Sequence, residues 1–312
     1  MTRQAFVLGA GLGTRLKTLT QKRPKPLIPI VNRPLITHAF DHLIRAGVER
    51  LVINTHWRAE TYAAAFPEGV YQGKALTFRH EYPEVLETAG GIKNVEDLLG
   101  GERFWVHNGD ILSTIPIERA EQAHIQSGNE VTLVLRSHGG PLQVGFNQES
   151  GRVTDIGGRV RLVEMERFLF TGIYLVEPAF LARIPPVVPI SVVPIFCEMI
   201  RTGAPLGAVA IDDGEWWDLG TREQILAVHA AFHAAQKVKP ADWIHPAADV
   251  HRDADLIGAT AVGAWARIGA GAQLRDTLVW DGAEVAAGAQ LERCIVTTGA
   301  RAEGSLRDTD VT

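Results

Sequence analysis

The stretch FVLGAGLGTRLKTLTQKRPKPLIPIVNRPL, residues 6–35, decides the fold. Its apolar start, 5–8, predicts a short buried strand that runs straight into glycines at 9, 11 and 13. Basic residues follow at Arg15, Lys17, Lys22, Arg23, Lys25 and Arg33, and no Asp or Glu precedes Asp41, although the chain as a whole carries a net charge of -5. A glycine loop lets backbone N–H groups approach an anion, and clustered Lys and Arg supply the countercharge. The pattern predicts a polyphosphate site, and the nucleotide is the obvious ligand. It is not a P-loop, because no Gly-Lys-[Ser/Thr] follows. It also misses the dinucleotide fingerprint, because Thr14 stands at the third glycine position.

From there to about residue 134, apolar strands alternate with helices. LVIN at 51–54, ALTFRH at 75–80, FWVHN at 104–108 and VTLVL at 131–135 read as strands. Apolar residues at helical spacing mark helices near 35–44, 61–66, 92–99 and 117–127, the third closed by Gly100-Gly101. Such alternation predicts a Rossmann-like, mostly parallel α/β sheet covered on both faces, with ligands at the carboxyl ends of its strands. Gly9–Gly13 and Gly109-Asp110 both fall at such ends. The segments QVGF, GRVTDIGG and FLFTGIYLVE read as a β-rich insertion forming a wall of the cleft. A helix is expected over 191–200 and a strand over 208–211, and Thr221 with Gln224 predicts a capping box for a helix starting near Arg222.

The chain changes character after a linker near 235–242. Ile244, Val250, Leu256, Val262, Ile268 and Leu274 stand at an unbroken six-residue period, and Val285 and Leu291 resume it after an irregular turn. Gly and Ala fill much of the space between. This is the hexapeptide pattern of a parallel β-helix, in which each repeat sends one aliphatic residue inward. The domains are therefore read as 1–236, catalytic, and 237–312, the β-helix. The tail lacks a His within its regular coils that would suit an acyltransferase. It is expected to pack on the catalytic domain or to mediate homo-oligomer contacts, and to bear on stability more than on the chemical step.

Composition narrows the rest. The 312 residues, 46% hydrophobic and 21% charged, suit a globular protein with one large domain and a smaller one. The basic excess is local, which argues against nucleic-acid binding. Cys197 and Cys294 are too few for a disulfide framework and lack metal-ligand spacing. No secretory leader or bilayer-spanning run is visible, so a reducing cytoplasm is expected. The eleven His residues, His56, His107 and His138 among them, form no metal set.

Asp110 ends an apolar strand, where a carboxylate suits Mg²⁺ or an Asx-type turn equally. Asp218, in EWWDLG, poses the same choice, and its Trp neighbours read as packing. Thr88 precedes Gly90-Gly91, which predicts a helix N-terminus facing an anion, with Thr88 as its cap.

LGAGLGTRLKTLTQKRPKPLIPIVNRPLI resembles the opening of the sugar-1-phosphate nucleotidylyltransferases. The resemblance extends through ETAGGI at 87–92, NGD at 108–110, FTGIYLVEP at 170–178 and WWDLGT at 216–221, in the family's order and over about 5–232. It looks most like the branch of N-acetylmuramate-1-phosphate uridylyltransferases, with mannose-1-phosphate guanylyltransferases as neighbours. The tail is common in this superfamily, whose β-helices are left-handed. The resemblance implies an NTP and a sugar 1-phosphate as substrates. Arg15 would hold the leaving β,γ-phosphates, and Lys25 would bridge the α-phosphate and the sugar phosphate. Asp110 and Asp218 would hold Mg²⁺. Leu8, Gly9, Ala10, Gly11, Gly13 and Thr14 would take the nucleotide, with a second wall from Glu87, Thr88, Ala89 and Gly90. Asn108, Gly145, Thr171 and Gly172 would line the sugar pocket. Relatives carry a Glu-Lys pair before the Thr-Gly strand. Here the stretch is VEMERFLFTG, with Glu164, Glu166 and Arg167 but no Lys, and Glu166 is left to take the sugar-hydroxyl role. A non-catalytic sensing subunit of the same fold, which typically loses these charged residues, is the rival reading. A phosphocholine-type cytidylyltransferase would need an aromatic cage for the ammonium, and the pocket segments carry none.

Overall fold

The computed structural model describes residues 1–99, 101–160 and 166–312. The helix end at Gly100 and the reading of Glu164 lie outside the described residues. The chain forms two compact units, one from 1–12 with 36–218 and the other from 13–35 with 219–312. The quoted stretch is thus divided: its strand belongs to the first unit and its basic loop to the second.

In chain order the elements begin β1 (Gln4–Leu8), β2 (Pro29–Ile30), β3 (Arg33–Pro34), α1 (Ile36–Arg45), β4 (Arg50–Thr55), α2 (Glu60–Ala65), β5 (Val70–Tyr71), β6 (Lys74–His80) and α3 (Glu87–Asn94). They continue with β7 (Phe104–Asn108), β8 (Ile111–Ser113), α4 (Glu118–Ser127), β9 (Val131–Arg136), β10 (Val144–Asn147) and β11 (Arg152–Ile156). Then come β12 (Arg167–Val176), α5 (Val192–Thr202), β13 (Leu206–Ala210), β14 (Trp216–Asp218) and α6 (Arg222–Ala234).

The first unit is built on one sheet of order β10-β11-β13-β9-β12-β7-β1-β4-β6-β5. Across β7-β1-β4-β6 every pairing is parallel. β1 and β7 are buried over their first four residues and β4 over its last five, as strands in the middle of a covered sheet must be, whereas β6, next to the edge strand β5, is only partly buried. Beyond β7 the sheet is mixed. β12 runs antiparallel to both β7 and β9. The β-rich middle is therefore part of the main sheet. Phe6, Val106, Leu133, Tyr174 and Phe196 share the largest buried cluster. Each such side chain contributes about 1.5–3 kcal/mol relative to exposure. Sequence-local signals set the helix ends. The Ser191 side chain accepts the amide of Val193 at the start of α5, and Gly203 closes it at φ 68°.

The second unit joins the loop 13–35, α6 and the C-terminal coils. The Thr221–Gln224 capping box is formed as expected. The coils carry three four-stranded parallel sheets. Down these sheets run aliphatic columns, Val250–Ile268–Val285, Leu256–Leu274–Leu291 and Val262–Val279–Val296, each in direct register and buried beyond the half-buried Val250 and Leu256. The stacked register absorbs the irregular turn, since Leu274 still pairs Leu291. This arrangement is consistent with a β-helix. Turn hydroxyls stack as well: the Thr277 amide donates to Thr260 Oγ1, and the Cys294 amide donates to Thr277 Oγ1.

Candidate active site

In the first unit β1 ends between two partners. Leu8 pairs Asn108 of β7 on one side and Asn54 of β4 on the other. The peptide that follows is held at both poles. The Gly9 amide donates to Asn54 Oδ1 at 2.7 Å, and the Tyr62 hydroxyl donates to the Gly9 carbonyl at 2.8 Å. A Cβ on Gly9 would stand 2.6 Å from the Asn54 carbonyl oxygen, so only glycine fits, whereas Gly11 has open space around it. Asn54 is itself anchored. Its Nδ2 donates to Glu81 Oε1, and the other carboxylate oxygen accepts the Leu86 amide, both at 2.8 Å. Burial raises the Glu81 pKa against the lowering effect of the Asn54 and Leu86 bonds. Sequence reading missed Asn54, Tyr62 and Glu81. The signal available for Asn54 was an Asn closing an otherwise apolar strand.

The second wall differs from expectation. α3 starts at Glu87, whose φ is 57°, with Leu86 as the flanking residue, so Thr88 is not its cap. Instead Thr88 Oγ1 accepts the Val192 amide at 2.7 Å at the start of α5. Gly90 and Gly91 lie inside α3, not at its N-terminus. They permit close packing. A Cβ on Gly90 would meet the Val188 carbonyl oxygen at 2.2 Å, and one on Gly91 would meet Asn54 Nδ2 at 2.9 Å. Thr88 and Gly90 are thus joined to the same scaffold as Gly9, through Glu81 and Asn54.

Asp110 follows β7 directly. The Gly109 amide donates to the Leu8 carbonyl at 2.9 Å, which fixes the turn against the end of β1. β8 then pairs antiparallel with β14, and Asp218 stands opposite Ile111. Two half-buried carboxylates are thereby brought to one end of one ladder. Among the described residues no group of three or more His, Cys, Asp or Glu forms a complete ligand cage. A pair of carboxylates suits an ion that completes its shell with water and substrate phosphate oxygens.

The residues expected on the sugar side fall into two places. Gly172, at φ 76°, receives the Asn108 side chain so closely that a Cβ there would meet Nδ2 at 2.5 Å. The β12–β9 register shifts at this point. Thr171 is fully buried. Its hydroxyl donates to the Val134 carbonyl at 2.7 Å, and its own carbonyl accepts the Trp216 indole N–H at 2.9 Å. Asn108, Thr171 and Gly172 therefore gather beside the ladder that carries Asp218. Gly145 pairs Asp155 and Arg167 in β10. Glu166 is exposed and accepts from Gln148 Nε2 at 2.8 Å.

Below Asn108 lie two buried imidazoles. His42 Nδ1 and His107 Nε2 are 3.2 Å apart, and His42 Nε2–H donates to the Ile115 carbonyl at 2.7 Å. Burial lowers His42 to a pKa of about 4 and His107 to about 3, with His42 adding to the effect at His107.

The basic residues belong to the second unit. Gly13 sits at φ 62°, and a Cβ there would meet Lys25 Cβ at 3.0 Å. Thr14 opens the short helical turns that carry Arg15, which is exposed. The Arg15 guanidinium lies against Gly220, 2.7 Å from where a Cβ would be. Lys25 is 6% exposed and stands between two prolines. The Leu27 amide donates to the Pro24 carbonyl at 2.9 Å, and the Ile28 amide to the Lys25 carbonyl at 3.1 Å, so Lys25 sits on a closed turn. Leu8–Leu12, Asp110 and Asp218 lie in the first unit, and Gly13, Thr14, Arg15 and Lys25 in the second.

The sequence model of the nucleotidyl transferase family matches residues 4–235. A mannose-1-phosphate guanylyltransferase of Mycobacterium tuberculosis is 32% identical over 89% of this chain and 80% of its own length. An N-acetylmuramate alpha-1-phosphate uridylyltransferase of Caulobacter vibrioides is 30% identical over 72% of this chain and 95% of its own. A crystal structure of a Bacillus anthracis protein, named as a glucose-1-phosphate thymidylyltransferase, superposes with a TM-score of 0.63 at 20% identity. It covers 74% of this chain and 95% of that one, and shares the fold. The chain belongs to the nucleotidyl transferase family, among the sugar-1-phosphate nucleotidylyltransferases, and is an enzyme. Among the described residues no helix is long and apolar enough to cross a membrane.

Proposed function

We propose that this enzyme joins an NTP to a sugar 1-phosphate, giving an NDP-sugar and pyrophosphate. A sugar-phosphate oxygen attacks the α-phosphorus in line. The new P–O bond forms as the bond to pyrophosphate breaks. The attacking oxygen is already anionic at neutral pH, so no protein base is needed. Positioning of mutually repelling anions and neutralisation of developing charge must supply the acceleration. In this reading Arg15 holds the leaving β,γ-phosphates and Lys25 bridges the α-phosphate and sugar phosphate. Leu8, Gly9, Ala10, Gly11, Gly13, Thr14, Thr88 and Gly90 take the nucleotide. Asn108, Gly145, Glu166, Thr171 and Gly172 orient the sugar.

The observation that carries the reading is the β8–β14 ladder, which puts Asp218 opposite the neighbour of Asp110. Those two carboxylates would hold Mg²⁺, which when bound neutralises phosphate charge and orients the α-phosphate. UTP with an N-acetylmuramate-type or hexose 1-phosphate is the first substrate pair. GTP with mannose 1-phosphate is the second, favoured by the Mycobacterium tuberculosis relative, whose match extends over 89% of the chain. We place the catalytic domain at 1–236 and a left-handed β-helix at 237–312, with the tail also serving homo-oligomer contacts, in a cytoplasmic enzyme. A pyrophosphate-release screen of the common NTPs against a panel of sugar 1-phosphates tests the reaction and its substrates. Turnover with no pair would remove the proposal, and the best pair names the substrates.

A further inference from the structure

The signature loop contains an arginine, Arg23, to which the family resemblance assigns no role. Arg23 is only 18% exposed. One nitrogen of its guanidinium donates to Asp281 Oδ2 at 3.0 Å and to Thr298 Oγ1 at 2.8 Å. The other terminal nitrogen donates to the Leu27 carbonyl at 3.2 Å. The plane also lies 5.5 Å from the centroid of the buried Trp280 ring. Next to it, Lys22 Nζ donates to the Thr298 carbonyl at 3.2 Å. All these residues belong to the second unit.

The geometry is that of a bracket. Arg23 precedes Lys25 by two residues and Leu27 follows it by two, so the guanidinium closes over the turn that carries Lys25. Its other contacts fasten that turn to two adjacent coils of the C-terminal domain. A rigid planar fork with several donors and a π-stacking face can make all four contacts at once. A lysine at this position can make one or two. The coils are themselves stacked in register through Val279 and Val296, next to Trp280 and Thr297, so the anchor is rigid.

We propose that Arg23 is a positioning residue for Lys25, and that Asp281 and Thr298 make the C-terminal coils part of the apparatus that sets the turnover number. This rests on the role given above to Lys25. It assigns the tail a share in the chemical step beyond stability and oligomer contacts.

The test uses the full-length enzyme with its best substrate pair, measuring kcat and KM for both substrates, thermal melting and oligomeric mass. Variants are Arg23→Ala, Arg23→Lys, Asp281→Asn with Thr298→Ala, and Lys25→Ala as reference. A misplaced Lys25 is expected to lower kcat roughly 10- to 100-fold. The KM for the NTP should change little. Arg23→Lys should resemble Arg23→Ala. The coil variant should lower kcat in the same direction, and adding it to Arg23→Ala should cost little more, because both remove one linkage. Wild-type kcat in the folded Arg23 and coil variants, with Lys25→Ala inactive, would overturn the inference and leave the proposed reaction standing. A lowered melting point with unchanged kcat would overturn it equally. Full activity in Lys25→Ala would instead remove the assignment on which it rests.

Discussion

The Arg15 guanidinium occupies the space a side chain at Gly220 would need: a Cβ there would lie 2.7 Å from Nη1. Gly220 has no left-handed backbone requirement, and the three atoms nearest a Cβ there all belong to the tip of the flexible Arg15 side chain. Gly220→Ala should therefore leave the melting temperature nearly unchanged while displacing Arg15. Turnover should fall roughly 10- to 100-fold, as for a misplaced charge-neutralising group. Melting and steady-state pyrophosphate release measured on the same preparation check this. Unchanged turnover would mean that the observed Arg15 pose is not the working one.

The β8–β14 ladder gives a second prediction. Asp110→Asn and Asp218→Asn keep the shape of each side chain and remove its charge. Each should nearly abolish pyrophosphate release, leave far-ultraviolet circular dichroism unaltered and raise the Mg²⁺ concentration needed for half-maximal rate. The two substitutions together should cost little more than one, because they act on the same ion. If either single variant turns over like wild type with unshifted Mg²⁺ dependence, that carboxylate does not hold the metal.

How much of this was legible in sequence depends on how local each signal is. The Thr221–Gln224 capping box and the helix expected over 191–200 are set by residues within a few positions of each other, and both are found, the helix as Val192–Thr202. The six-residue aliphatic period is likewise repetitive, and it maps onto stacked columns. What escaped depends on partners distant in sequence. Thr88 looks like a helix cap, but its hydroxyl serves the Val192 amide, more than a hundred residues away. Arg23 is one basic residue among several in its loop until the chain returns with Asp281 and Thr298. Gly90 and Gly91 resemble a helix start, yet their smallness answers to the Val188 carbonyl and to Asn54. β12 reads as an ordinary strand, and nothing local to it signals its antiparallel seating between β7 and β9.

Gly172 offers a prediction on the sugar side. At φ 76° an alanine pays the left-handed cost of about 1–2 kcal/mol, and its Cβ would also strike Asn108 at Nδ2 and Cγ. Gly172→Ala should lower the melting point and raise the KM for the sugar phosphate more than that for the NTP. Adding Asn108→Ala should recover the part of the stability lost to collision and none of the part lost to backbone strain. Thermal melts of the single and double variants separate the two. A double variant no more stable than Gly172→Ala would show that the side-chain contact carries no weight.

Stability should fall on the acid side because His42, His107 and His229 are buried neutral. Burial lowers His42 and His229 to pKa values of about 4 and His107 to about 3, against an ordinary value of 6.5. His229 shows why the neutral form is needed. Its Nδ1–H donates to the Ile225 carbonyl at 2.7 Å, and its Nε2 lone pair accepts the Val31 amide at 3.0 Å. Protonating Nε2 would replace that acceptor with a second donor facing the amide. Between pH 6.5 and about 4 the unfolded chain takes up protons that the folded chain refuses. The stability these groups contribute is therefore full above pH 6.5 and is lost as pH falls toward the folded values. Each group contributes a slope of about 1.4 kcal/mol per pH unit in that window. Denaturant unfolding from pH 8 to 4 should give a plateau and then a steep decline. His229→Ala should flatten part of the decline while lowering the plateau, since it leaves the Val31 amide without its acceptor at a cost of about 1–3 kcal/mol. A profile level from pH 8 down to 4.5 would mean that these imidazoles are not held neutral by the fold.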